Sequence, residues 1–310
     1  HRALSDAEAT RAIFLELTQK LHNIDVEVLQ EITLLGSVSG WEVGALAGRI
    51  ADAKPMDRQS RFPMHHGVNL RALTRRLKAV HDGRRPTRPR LDAAISEPLS
   101  VRRLFDREGD LQQTMPEFEY REEQAEMAVA VSSAIQDGEH LLVEAGTGVG
   151  KSLAYLVPAA LSTLSGGGPV VVSTNTINLQ DQLFTKDLPA LELLLERLGV
   201  PRGTLRVARL KGRANYLCYR RWSFACSSPP DRIRDARLLA KCVVWMQKTA
   251  TGDRGELALQ RDGHLFTRIS ASGAKGCPAQ DGPCFLRKAR NEAQGADIVV
   301  VNHSLVLSDL

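Results

Sequence analysis

The sequence predicts an α/β chain with a parallel sheet, preceded by a mainly helical N-terminal region, and three observations lead there. A glycine-rich stretch, residues 144–152, lies between the apolar run Leu141, Leu142, Val143 and a helix-like pattern over 153–164. Short apolar runs at 170–172 and 297–301 alternate with helical periodicity, the pattern of buried parallel strands joined by helices. Residues 1–50 carry their apolar side chains at helical spacing.

The glycine-rich stretch reads Glu144-Ala145-Gly146-Thr147-Gly148-Val149-Gly150-Lys151-Ser152. Glycines at a strand-to-helix turn let successive backbone N–H groups converge on an anion, and the helix N-terminus adds partial positive charge. Lys151 supplies a full charge for the β- and γ-phosphates of ATP, and Ser152 a hydroxyl for Mg²⁺. Ala145 stands where the motif ordinarily has glycine, a small change where φ stays negative.

Composition sets outer bounds. A chain of 310 residues, 43% hydrophobic and 25% charged, has room for two globular domains. No apolar run reaches membrane-spanning length and no signal-peptide pattern opens the chain, so a cytoplasmic protein without a membrane partner is expected. The net charge of +5 fits a polyanionic partner. Five widely spaced cysteines argue against a disulfide framework and leave metal binding or burial.

In chain order, residues 1–22 form an amphipathic helix through Leu4, Ala7, Ile13, Phe14, Leu17 and Leu21, with His1 and Asp6 on its first turns. Residues 23–110 follow as a helical, then basic, connector: a helical pattern broken around 36–40 gives way to a stretch punctuated by prolines and rich in arginine, including the run 84–90. Such a run is a solvated linker or a track for a phosphate backbone. From Phe118 the pattern changes again. Arg121 and Gln124 open a helix over 127–135, and a glutamine beside a phosphate loop has the donor and acceptor needed to read the edge of adenine.

Thr174 and Thr176 follow the 170–172 strand, at the sheet edge where open parallel sheets meet ligands, and helices are expected from 178 and over 188–198. A strand at 206–210 leads to Lys211, Gly212 and Arg213, with Tyr216 beyond, a set suited to a nucleic-acid backbone and a stacked base. Residues 218–290 interrupt the alternation and hold all five cysteines, which marks them as an insertion.

Two resemblances follow. The blocks Tyr120-Arg121 with Gln124, 144–152, 174–183, 211–218 and 296–303 together resemble the DinG-like, XPD-related branch of superfamily 2 DNA helicases. That resemblance implies a RecA-like P-loop core of three layers over residues 111–310. It further implies ATP and Mg²⁺ as cofactors, with Arg121, Gln124, Ala145, Gly146, Thr147, Gly148, Val149, Gly150, Lys151 and Ser152 lining the nucleotide. Thr174, Thr176, Gln182, Lys211 and Arg213 would lie near single-stranded or forked DNA, unwound with 5′ to 3′ polarity in repair or replication. Members often carry a four-cysteine iron–sulfur cluster in this insertion. Cys218, Cys277 and Cys284 match three ligands, while Ser270 and Ser272 stand where the second would be, leaving a cluster, zinc or plain buried thiols open. The second resemblance is at the N-terminus, where His1 through Ala7 is similar to the last active-site motif of DnaQ-like DEDDh exonucleases. It implies that His1 is a general base and Asp6 a ligand of a catalytic metal, residues 1–22 being the tail of such a domain.

Both ends read as cut, so a piece of a longer exonuclease–helicase fusion is expected. The acidic motif and second motor domain of the family would lie beyond Leu310, and this piece alone is expected not to hydrolyse ATP at a useful rate. The alternative is a nucleotide-switched scaffold that holds nucleic acid without translocating.

Overall fold

The computed structural model describes residues 2–54, 64–77, 91–115, 117–146, 148–259, 263–273, 277 and 282–308. His1, Thr147 and the basic run 84–90 lie outside them. The chain forms two compact units, each drawn from separate sequence segments: His1–Ala79 with Gly212–Lys288, and Val80–Lys211 with Ala289–Leu310.

The first unit is helical. Its opening helix, Arg2–His22, leaves Ile13, Phe14 and Leu17 exposed. Helices Val26–Ser39 and Glu42–Ala53 cross at a glycine pair: a Cβ on Gly36 would stand 2.5 Å from the Cα of Gly44, and one on Gly44 2.6 Å from that of Gly36. Backbones come this close only where neither residue carries a side chain. An antiparallel hairpin follows, Met64–His65 with Val68–Asn69, closed by His66 and Gly67 at φ of 50° and 70°. Two left-handed residues make the turn whose twist matches its strands. Asn69 then caps helix Leu70–Arg76 by accepting from the Ala72 N–H at 2.9 Å.

The cysteine-bearing insertion contributes helices Tyr219–Ser227 and Ile233–Met246 to this same unit. Ile233–Met246 packs against Val26–Ser39, and Arg76 donates to the carbonyls of Met246 and Thr249 at 3.0 and 3.3 Å. Residues distant in sequence thus share one core.

The second unit holds a three-stranded parallel sheet with Ile298–Asn302 central, Val170–Thr174 on one side and Val207–Arg209 on the other. Asp297 fixes the start of all three: its carbonyl accepts from Val170 N–H at 2.8 Å, and its carboxylate accepts from Arg206 N–H at 2.8 Å. Helices Pro98–Phe105, Glu122–Asp137 and Lys151–Leu164 pack in succession. They bury Val101, Phe105, Ala125, Ala128, Val157 and Leu161 in a core shared with Val172, Ile298 and Val300.

Two sequence expectations are corrected here. The run Leu141, Leu142, Val143 pairs with no strand among the described residues, and Leu142 is 98% exposed. An apolar run becomes a buried strand only if neighbours supply its ladder, and the three paired strands do not include it. The helices expected separately from 178 and 188 are one continuous run: Ile177–Gln182, a π-helical turn Leu183–Asp187, and Leu188–Arg197. Pro189 has no N–H to give the preceding turn, and the wider turn absorbs that loss without breaking the helix.

No described helix is long and apolar enough to cross a membrane.

Candidate nucleotide-binding site

The loop ends on Gly150, the residue before helix Lys151–Leu164, and Gly148 and Gly150 are both left-handed, at φ of 88° and 81°. L-residues with side chains resist that conformation. The two faces of the loop differ. A Cβ on Gly146 or Gly148 would meet nothing within 4 Å, whereas one on Gly150 would lie 2.3 Å from the Gln124 amide nitrogen. The outer face has room for an anion, and the inner face is packed shut.

Lys151 turns its ammonium back over the loop, donating to the carbonyls of Ala145 and Gly146 at 2.9 and 2.7 Å. Gln124 is buried and donates its amide N–H to the Gly150 carbonyl at 2.9 Å. Arg121 donates to the Gly148 carbonyl and pairs with Glu119 at 2.8 Å. Both residues picked out for adenine therefore brace the loop by its carbonyls. Ala145 and Val149 are half-buried beside them.

Ser152 is half-buried, with Tyr155 and Asp187 beside its hydroxyl. Burial pushes the Asp187 carboxyl up from the usual range, against the opposing pull of Lys186 and Ser152. Burial likewise raises the Tyr155 phenol, with Ser152 acting against it. One Asp187 carboxylate oxygen is buried with no hydrogen-bond partner among the described residues. A buried, unpaired carboxylate oxygen beside a serine suited to Mg²⁺ fits a cation-binding neighbourhood. Sequence reasoning missed Asp187, because nothing in its local pattern places it near residue 152.

The residues assigned to DNA separate by burial. Thr176 caps helix Ile177–Gln182 by accepting from Leu179 N–H at 3.2 Å and is exposed, as are Gln182 and Arg213. Thr174 is buried, donating to the Thr176 carbonyl at 3.1 Å. Lys211 is buried with its ammonium 3.5 Å from the Asp181 carboxylate, which Arg209 also meets at 2.5 Å. Asp6 is exposed on its helix.

Cys218 and Cys284 are half-buried, Cys277 is exposed, and Cys226 and Cys242 are buried. Cys218 N–H donates to the Ile269 carbonyl at 2.8 Å, which sets Ser270 beside it. Ser270 is itself buried and bonded to the Ser272 hydroxyl at 2.8 Å. Among the described residues Cys218, Cys277 and Cys284 do not come within common ligand reach; the three-residue group that does is Glu31, His66 and Cys226.

A glycine-rich loop opening a helix in an α/β unit defines the P-loop class of nucleotide-binding domain, and residues 124–196 match the DEAD/DEAH box helicase family. Within that class the chain is similar to YoaA and DinG helicases. It is 39% identical over 218 residues to the ATP-dependent DNA helicase YoaA of Haemophilus influenzae, covering 68% of this chain and 32% of that protein. It is 40% identical over 208 residues to the ATP-dependent helicase DinG of Mycobacterium tuberculosis, covering 61% and 31%. The 3′-5′ exonuclease DinG of Bacillus subtilis aligns with 100% of this chain at 30% identity, over 32% of its own length. The chain thus spans about a third of each of these relatives.

Proposed function

We propose that this chain forms the nucleotide-binding part of an ATP-dependent DNA helicase, with a RecA-like three-layer core completed by further strands. The observation that carries the reading is the loop at Lys151: left-handed Gly148 and Gly150, an open outer face, and an ammonium held over the loop carbonyls. Lys151 exchanges the carbonyls of Ala145 and Gly146 for phosphate oxygens, while Arg121 and Gln124 keep the loop carbonyls turned away. Ser152, with Asp187 behind it, orients its hydroxyl toward the cation. Bound ATP with Mg²⁺ supplies the phosphoryl group whose transfer drives the motor. Exposed Thr176, Gln182 and Arg213 offer hydroxyl, amide and guanidinium groups to a DNA backbone.

The alignment of the whole chain with a relative named as an exonuclease supports a fusion in which residues 1–22 are the tail of a DnaQ-like domain. In that fusion His1 and Asp6 complete the metal-dependent site, and unwinding runs 5′ to 3′. A cluster on Cys218, Cys277 and Cys284 belongs to the same resemblance, and no step of the proposal depends on it. The test is unwinding of a 5′-tailed forked duplex by the full-length protein. Unwinding that needs ATP and is lost in Lys151→Ala is expected. Unwinding undiminished by that change, or absent in the unaltered protein, overturns the reading.

A further inference from the structure

Away from the nucleotide loop, the helical unit gathers three metal-ligating side chains from three separate segments. Glu31 comes from helix Val26–Ser39, His66 from the hairpin turn and Cys226 from helix Tyr219–Ser227. One ligand atom from each lies within 4.8 Å of the others. We propose that Glu31, His66 and Cys226 hold a divalent zinc ion that ties the N-terminal helices to the cysteine-bearing insertion.

The donor set comes first. One carboxylate oxygen, one imidazole nitrogen and one thiol sulfur suit a borderline-soft ion such as zinc, and do not suit Mg²⁺ or Ca²⁺, which take oxygen ligands. Bond lengths of about 2.0–2.3 Å at a tetrahedral centre put ligand atoms roughly 3.3–3.7 Å apart. His66 Nδ1 already stands 3.1 Å from Glu31 Oε1, so small rotations of the side chains close the set.

The surroundings hold the imidazole as a ligand needs to be held. His66 Nε2 meets the Ser227 hydroxyl at 3.2 Å; that hydroxyl donates to the Ser223 carbonyl at 3.1 Å, so it accepts from Nε2–H and leaves Nδ1, on the Glu31 side, to coordinate. The Trp222 ring stands edge-on to the imidazole with centroids 6.1 Å apart, and the His65 ring does so at 4.6 Å.

Burial makes the need for positive charge acute. Glu31 is 7% exposed and Cys226 is 1% exposed. Among the described residues the one basic side chain within ion-pair distance of Glu31 is His66, at 3.1 Å. A buried carboxylate flanked by a thiol and an imidazole, with no lysine or arginine on it, is a site that a cation completes.

The backbone supplies an independent observation. His66 is the non-glycine residue at positive φ among the described residues, at 50°. The turn requires a left-handed residue there, and asparagine or glycine would fill it at lower cost. A histidine kept in a strained position aims its ring at Glu31 and Cys226, and strain of this kind gathers at ligand sites.

Elemental analysis of the full-length protein, purified without chelator and loaded with zinc, tests the assignment. In a Cys277→Ser background, which removes one thiol of the Cys218, Cys277 and Cys284 set, about one zinc per chain more than in the same protein carrying His66→Asn is expected. His66→Asn keeps a residue suited to the left-handed turn and is expected to lose that zinc, as is Cys226→Ser. Cobalt in place of zinc provides a second readout: a thiolate-to-cobalt charge-transfer band is expected in Cys277→Ser and absent after adding Cys226→Ser. A zinc content that His66→Asn leaves unchanged overturns the proposal. So does a Cys277→Ser protein that takes up neither metal, since the three side chains would then be a hydrogen-bonded group only.

Discussion

The Gln124 amide donates to the Gly150 carbonyl at 2.9 Å, and the same nitrogen occupies the place a side chain at 150 would need, 2.3 Å from a Cβ built there. Gly150 is thus held twice, by a left-handed backbone and by the residue packed against it. Gly150→Ala is expected to destabilise the second unit by roughly 1–3 kcal/mol and to weaken ATP binding. Denaturant melts and nucleotide titrations of the same preparation check both effects. A variant with unchanged melt and unchanged affinity would contradict the packing described.

The glycine pair in the helical unit predicts a steric cost of its own. Gly44→Ala would place its Cβ 2.6 Å from the Gly36 Cα, and backbone cannot rotate aside as a side chain does. Overpacking of this kind costs about 1–3 kcal/mol, and a lowered denaturation midpoint with an unchanged slope is expected. Gly40, whose Cβ would meet nothing within 4 Å, is the contrast for sterics alone: at φ of 69°, Gly40→Asn is expected to be tolerated.

Burial raises the Asp187 carboxyl, so its folded form binds a proton more readily than its unfolded form. The contribution to stability is fully present below the ordinary aspartate range and is lost as pH rises through the folded value. Asp187→Asn is therefore expected to be more stable than the unaltered protein at neutral pH, with the difference shrinking in acid. Melting temperatures of the two proteins across pH measure it. A difference that stays constant with pH would contradict the burial of this carboxyl.

Thiol reactivity follows exposure. Cys277 is exposed, while Cys242 is buried and its thiol is pushed up by that burial. Alkylation read by mass spectrometry is expected to label Cys277 rapidly in the folded protein and Cys242 only after unfolding. Comparable rates at the two would contradict the packing of helix Ile233–Met246.

Local pattern was enough for the loop and its helix. Three glycines and the Lys151-Ser152 pair mark the helix start, and the all-apolar run before Asn302 marks the central strand. What failed depended on partners remote in sequence. Leu141, Leu142 and Val143 look like a strand by composition, but a strand is made by its neighbours. The π-helical turn before Leu188 was signalled by Pro189, which reads equally well as the start of a new helix. The burial of Lys211 on Asp181 was invisible because a basic residue next to glycine suggests a phosphate contact until its acidic partner is known. Glu31, His66 and Cys226 carry no shared spacing, so only folding brings them together.

The account rests on the loop that ends at Lys151, and binding of a fluorescent ATP analogue to this chain tests it most directly. Saturable binding is expected that ATP competes away and that Lys151→Ala abolishes, with the far-ultraviolet circular dichroism of the variant unchanged. Equal binding by the unaltered chain and Lys151→Ala would contradict the nucleotide site itself.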